Sequence, residues 1–151
     1  VGENVSFPIY WGGDMDPVEL RTLALSRLKA VGLAGSEDKM PSELSGGMKK
    51  RVGIARATIS TPKIVIYDEP TAGLDPVTTS KVYDLLRDIQ EQSGGTVLSV
   101  SSDVSALRTF VDRIAMIHEG KLVFDGPVST LDACEHPVVH QFIRGELEGP
   151  L

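Results

Sequence analysis

Ile64 to Pro76 reads IVIYDEPTAGLDP, and this stretch decides how the rest of the chain is interpreted. Its first four residues are continuously apolar or aromatic and are bracketed by Pro62 and Pro70, too short a run for a helix. That is the pattern of a strand buried on both faces of a parallel sheet. The run ends in Asp68-Glu69, so two carboxylates stand at the carboxyl edge, where such sheets bind ligands. In phosphate chemistry the first acid can hold Mg²⁺, and the second can orient or deprotonate an attacking water. A strand end followed by a helix cap also leaves adjacent acids in solvent, and the Asp-Glu pair alone does not separate these readings.

Downstream, Asp75 caps a helix with Pro76 in its first position, apolar Val77, Val82, Leu85, Leu86 and Ile89, and Gly94-Gly95 as its stop. TVLSVSS (96–102) is a second buried strand, and a short helix follows around Val104 to Phe110. RIAMIHEGKLVFDG (113–126) reads as two strands joined at Glu119-Gly120, and the tail from Val128 gives one or two short helices. Upstream, Ser45 starts a helix running to about Ile59. Before it, Asp16, Pro17 and Glu19 supply cap, first position and capping box for another helix, which ends near Gly32. Its apolar positions are Val18, Leu20, Leu23, Leu25, Leu28 and Val31. Val1 to Gly13 reads as a short, turn-rich apolar segment leading into WGGD. Strands alternating with long helices predict an α/β layered fold with a mainly parallel sheet, preceded by an all-helical segment.

SELSGGMKKRVGIARA (Ser42 to Ala57) poses a second question. Ser45, Gly46 and Gly47 open a helix, and bare backbone N–H groups at a positive helix end suit an anion. Simple capping accounts for the same residues, and Lys49, Lys50 and Arg51 read equally as a solvated basic face. Yet no G-x-x-x-x-G-K-[ST] phosphate loop occurs: the only Gly-Lys pair, Gly120-Lys121, has Ala115 where the first glycine is required.

The 151 residues are 41% hydrophobic and 24% charged, as in an ordinary globular protein. A net charge of -6 argues against a nucleic-acid partner. A single cysteine, Cys134, rules out an intrachain disulfide and fits a reducing compartment. No apolar run approaches the ~20 residues of a membrane span, and no signal peptide is evident. The opening at Val1 within VGENVSFPIYW reads as mid-domain sequence, so a fragment is expected.

Taken together, LSGGM, then ARA within one helix, then a hydrophobic strand ending in Asp-Glu, then GLD, resemble the ATP-binding cassette (ABC) ATPases along nearly the whole chain. The resemblance implies a P-loop NTPase-like core with an α-helical signature subdomain, and a front half carrying Walker A that is absent here. It divides the chain into a helical signature subdomain (1–60), the second half of the ATPase core (61–127) and a helical tail (128–151). Leu44 to Met48 matches the signature loop, so Ser45, Gly46, Gly47 and Met48 would contact ATP. Ile64 to Asp68 matches Walker B, with Asp68 on the Mg²⁺ side and Glu69 polarising the hydrolytic water. Gly73-Leu74-Asp75 resembles the D-loop, with Asp75 at the subunit boundary. Implied partners are a second ABC ATPase subunit, taken as an identical copy, and an integral membrane permease docking on the helices before the signature. The family thus implies a peripheral protein on the cytoplasmic face of a membrane.

A narrower resemblance joins HPVVHQFIRGELEGPL and PSELSGGMKKRV to the ATPases of MCE-type lipid transporters, the Mla class and its plastid relatives. It implies lipid cargo, an MCE-type lipid-binding partner and, in a plant, the stromal side of a plastid envelope. An ordinary amphipathic tail helix using Val138, Val139, Phe142 and Ile143 is the simpler account of the tail. The chain departs from the family at VSSD, where Ser102 replaces the usual switch histidine, which implies slow turnover or the weaker of two sites. His118, His136 and His140 read as surface or turn residues. Two other readings share the family: a soluble ABC protein of the translation or DNA-repair type, and a non-hydrolysing module that only donates its signature loop.

Overall fold

A computed structural model describes residues 1–10 and 15–151, which form two compact units, Val1–Ser101 and Ser102–Leu151. The expected WGGD turn, 11–14, lies outside the described residues.

The first unit opens with α1 (Gly2–Tyr10), a helix where the sequence suggested turns, with Pro8 inside it. Tertiary contacts override the weak propensity. Val5 is fully buried, α1 packs on the next two helices, and Gly2 N–H donates to the Glu37 carbonyl at 2.8 Å. The Asp16 carboxylate caps α2 (Pro17–Ala30) by accepting from the N–H groups of Val18 and Glu19. Leu20, Ala24 and Leu28 form the buried i, i+4, i+8 stripe. Val18 was expected on that face but is 73% exposed; two positions before Leu20 puts it roughly 200° around the helix. Gly32, at φ 69, turns the chain out. A short 3₁₀ turn (Pro41–Glu43) leads to α3 (Gly46–Thr58), which buries Val52, Ile54, Ala55 and Thr58.

Strand β1 (Ile64–Asp68) runs parallel to β2 (Thr96–Val100), in register from Ile64 opposite Thr96 to Asp68 opposite Val100. Between them lies α4 (Pro76–Ser93), which buries Thr79, Val82, Tyr83 and Leu86. It ends at Gly94 in the left-handed region. Gly95 follows because a Cβ there would stand 3.1 Å from the Pro62 carbonyl oxygen. The expectation of burial on both sheet faces is corrected. Tyr67 is buried with Val65 and Val97 half-buried beside it, but Ile64, Ile66, Leu98 and Val100 on the other face are 51–65% exposed. A continuous apolar run signals a strand made for two covering layers, not the presence of both in these residues.

In the second unit, α5 (Val104–Leu107) is capped by Asp103. Strands β3 (Arg113–His118) and β4 (Lys121–Pro127) form the expected antiparallel hairpin. Its turn residues Glu119 and Gly120 both have positive φ, 47° and 72°, as two-residue hairpin turns of the I′ type require. A 3₁₀ segment (Val128–Ala133) and α6 (Pro137–Arg144) close the core around Ile114, Leu131 and Val139. Buried Gln141 ties down the tail, donating to the Glu146 carbonyl at 3.1 Å and accepting from Leu151 N–H at 2.7 Å. Among the described residues no helix is long and apolar enough to cross a membrane.

Candidate functional site

Three loops of the first unit hold the residues that the sequence motifs single out. The first is the end of β1. Asp68 is the last strand residue and is exposed, while Glu69 is half-buried with φ 46. Glu69 N–H donates to the Val100 carbonyl at 2.9 Å, so the β2 ladder continues one residue past the strand. The Glu69 carboxylate accepts from Ser101 Oγ at 3.4 Å. Its carbonyl accepts from Ala72 N–H at 3.3 Å and from Lys50 Nζ at 2.7 Å.

The second loop is the start of α3. Ser45 is extended and its Oγ accepts from Met48 N–H at 3.3 Å, the expected cap. The first turn holds no acidic side chain, so no carboxylate of that turn offsets the positive helix end. Gly46 faces open space: a Cβ there would meet nothing within 4 Å. At Gly47 it would lie 3.5 Å from Leu74 Cδ2 and 3.7 Å from Thr78 Cγ2. The start of α3 therefore stands directly against the third loop.

That third loop is the turn into α4. Gly73 has φ 74, and the Asp75 carboxylate accepts from Thr78 Oγ1 at 2.6 Å and Thr78 N–H at 3.0 Å. These bonds hold the Asp75 carboxyl below the ordinary aspartate value. Behind the turn, buried Thr71 donates to the Tyr83 hydroxyl at 3.3 Å. Tyr67 points from β1 into the interior, and desolvation pushes its phenol up to about 12.

The basic run at 49–51 is not a uniformly solvated face. Lys49 is exposed, Lys50 reaches Glu69, and Arg51 Nη1 donates to the carbonyls of Val31 at 3.1 Å and Gly32 at 3.4 Å, closing the end of α2. Sequence reasoning missed two residues here. Lys50 gave no signal, since its partner is 19 residues away. Ser101 was passed over for Ser102, although the Ser101 hydroxyl reaches the Glu69 carboxylate. Ser102 belongs to the second unit, is exposed, and offers its carbonyl to Val104 N–H at 3.1 Å.

Among the described residues no cluster of three His, Cys, Asp or Glu groups could hold a metal alone. A single exposed carboxylate at Asp68 nevertheless fits Mg²⁺, which is held by one or two carboxylates with water and substrate phosphates. The arrangement places an exposed carboxylate at Asp68, a half-buried one at Glu69 and a glycine-opened helix start in one unit.

A family model described as "ABC transporter" matches residues 13–72. Over 149 residues the chain is 40% identical to a probable ribonucleotide transport ATP-binding protein, mkl, of Mycobacterium leprae, covering 99% of this chain and 43% of that protein. It is 39% identical to the chloroplastic protein TRIGALACTOSYLDIACYLGLYCEROL 3 of Arabidopsis thaliana, covering 100% of this chain and 48% of the other. A methionine import ATP-binding protein, MetN, of Staphylococcus saprophyticus is 37% identical over 95% of this chain and 42% of its own. Among solved structures, the ATP-binding cassette MJ0796, a dimer in a post-hydrolysis state bound to ADP and Pi, is similar with TM-score 0.75 and 35% identity, over 84% of this chain and 56% of that one. The chain spans under half the length of these curated relatives. In its ordered motifs, its α/β architecture and these likenesses, the chain is similar to the ABC ATPases along nearly its whole length.

Proposed function

We propose that this chain supplies the signature loop and the hydrolytic carboxylate of an ABC ATPase subunit that powers transport across a membrane. The observation that carries the reading is Asp68-Glu69 at the carboxyl end of a parallel strand, in the same unit as an uncapped-by-acid, glycine-opened helix. Asp68 would hold Mg²⁺, which would supply positive charge against the phosphates. Glu69 orients water against the γ-phosphorus and accepts its proton as the bond to the bridging oxygen breaks. The N–H groups at Ser45, Gly46 and Gly47 bind γ-phosphate oxygens of the nucleotide held by the partner subunit, with Met48 continuing that turn. Asp75, committed to its own helix cap, positions the turn that faces the partner. In this reading 1–60 is the signature subdomain, 61–127 the hydrolytic half of the core and 128–151 the tail. The phosphate-holding loop is not among these residues.

The intact subunit works as a pair on the cytoplasmic face of a membrane, or on the stromal face of a plastid envelope, beneath a permease. The permease docks on α1 and α2, whose flank holds a cleft of about 580 Å³ lined in part by Tyr10, Met15, Leu25 and Met40. Lipid is the cargo class we favour, with an MCE-type protein as lipid carrier. The tail sequence and the plastid relative's glycerolipid name support this. Ribonucleotide or methionine, named for other relatives, are the competing cargoes.

Hydrolysis by the intact protein tests the reading. Glu69→Gln keeps a side chain of the same shape without a basic carboxylate. It should lower kcat by roughly 10²-fold or more while nucleotide binding persists. A wild-type rate would sink the assignment. Stimulation by phospholipid but not by ribonucleotide or methionine tests the cargo.

A further inference from the structure

Glu69 has a main chain that needs holding. Its φ of 46 lies in the left-handed region, which a residue with a Cβ seldom adopts. It also precedes Pro70, and a following proline favours extended backbone. Such conformations persist only where the surroundings over-determine them.

The surroundings here come from three directions. Val100 of β2 accepts the Glu69 N–H, and Ala72 in the following turn donates to the Glu69 carbonyl. The third is Lys50 Nζ, donating to that same carbonyl at 2.7 Å from a half-buried position. This is the length of a charge-assisted hydrogen bond. Lys50 is the only one of the three on α3, the helix whose N-cap is Ser45. Its neighbours in the basic run do other work: Arg51 closes α2, and Lys49 faces solvent.

We infer that Lys50 is a positioning residue: its ammonium pins the Glu69 carbonyl, and with it the left-handed backbone from which the Glu69 carboxylate is aimed. The inference rests on the reading of Glu69 as the water-orienting acid. It adds a physical link between the signature helix, which acts on the partner's nucleotide, and the carboxylate of the helix's own subunit. A displacement of α3 is felt at Glu69 through this bond.

The test uses the intact protein with its partner subunit and three variants: Lys50→Met, which keeps the stem and loses the donor; Lys50→Arg, which keeps a charged donor; and Glu69→Gln. Two readouts are taken, the steady-state constants for Mg-ATP and amide hydrogen exchange in the peptide spanning Tyr67 to Gly73. Lys50→Met should lower kcat by roughly 10- to 100-fold with KM within about threefold, because misaiming a reacting group by about 1 Å has this effect. Exchange at Glu69 and Ala72 should quicken while the rest of the first unit is unchanged. Lys50→Arg should recover part of both. Wild-type kcat and exchange in Lys50→Met would overturn the inference, as would a loss of kcat with exchange at Glu69 unchanged. If Lys50→Met loosens the peptide but Glu69→Gln hydrolyses at the wild-type rate, the role of Glu69 falls and takes the functional half of this inference with it.

Discussion

Two substitutions in the first unit, Ile66→Thr and Leu86→Ala, should differ sharply in cost. Leu86 on α4 is fully buried, and truncating such a leucine costs about 2–5 kcal/mol through lost transfer energy and an unfilled cavity. Ile66 is 64% exposed on the bare face of β1. Only about a third of a side chain worth ~1.5–3 kcal/mol on full burial is at stake, or about 0.5–1 kcal/mol. Threonine keeps the β-branch, so strand preference changes little. Urea unfolding of the 151-residue chain, followed by circular dichroism at several protein concentrations, gives both values. At ~2–4 °C per kcal/mol, melting should fall by roughly 1–4 °C for Ile66→Thr and about 4–20 °C for Leu86→Ala. The same bare face, with Ile64, Ile66, Leu98 and Val100 each more than half exposed, would gain about 3–7 kcal/mol if fully covered. It should therefore bind an apolar dye in wild type and less in Ile66→Thr. Equal costs for the two substitutions, independent of protein concentration, would refute the exposed face.

At the start of α3, Gly46→Ala and Gly47→Ala should leave stability unchanged or slightly higher, since both Cβ atoms find space and alanine favours a helix by up to ~1 kcal/mol. Hydrolysis by the intact protein should nonetheless fall, because those Cβ atoms obstruct a phosphate's approach to the amides; an unaffected rate in both would count against the loop. Asp75 has a depressed carboxyl, so its stabilising bonds are fully present above the ordinary aspartate range and lost as pH falls through the lowered value. Asp75→Asn should flatten that acid limb in a pH series of unfolding curves. Tyr67 is raised instead, so its contribution is intact below the ordinary tyrosine value and declines from about pH 10 towards 12. Phenolate absorbance should show a late-titrating component that disappears in Tyr67→Phe. In the intact protein, Ser102→His should raise kcat over wild type and Ser102→Ala should not, if Ser102 stands in for a switch histidine. Identical rates for all three would remove Ser102 from the mechanism.

What could be read from the residues was local. Asp16, Ser45 and Asp75 each cap a helix through a bond spanning two or three residues, so their roles are written in adjacent letters. The Glu119-Gly120 turn was legible for the same reason. Strand β1 was identified from its apolar run, but whether its second face is covered depends on residues far away in sequence, and that part failed. The α1 helix depends on packing of Val5 rather than propensity and was invisible. Asp68 and Glu69 were singled out as candidates by type and order. Lys50 and Ser101 were not, because each meets Glu69 only after the chain has folded a helix and a parallel strand back beside it.

The central claim is that Ser45 and Glu69 of one subunit serve two different nucleotides, each completed by the partner. Hydrolysis by defined pairs of intact subunits, purified through two tags, measures this directly. One pair joins a Ser45→Arg subunit to a Glu69→Gln subunit; the other joins a doubly substituted subunit to wild type. If the signature acts across the interface, the first pair keeps one complete site and about half the wild-type rate, while the second keeps none. The opposite pattern, an inactive first pair and an active second, would mean that Ser45 and Glu69 act on the same nucleotide within one chain, and would contradict the account.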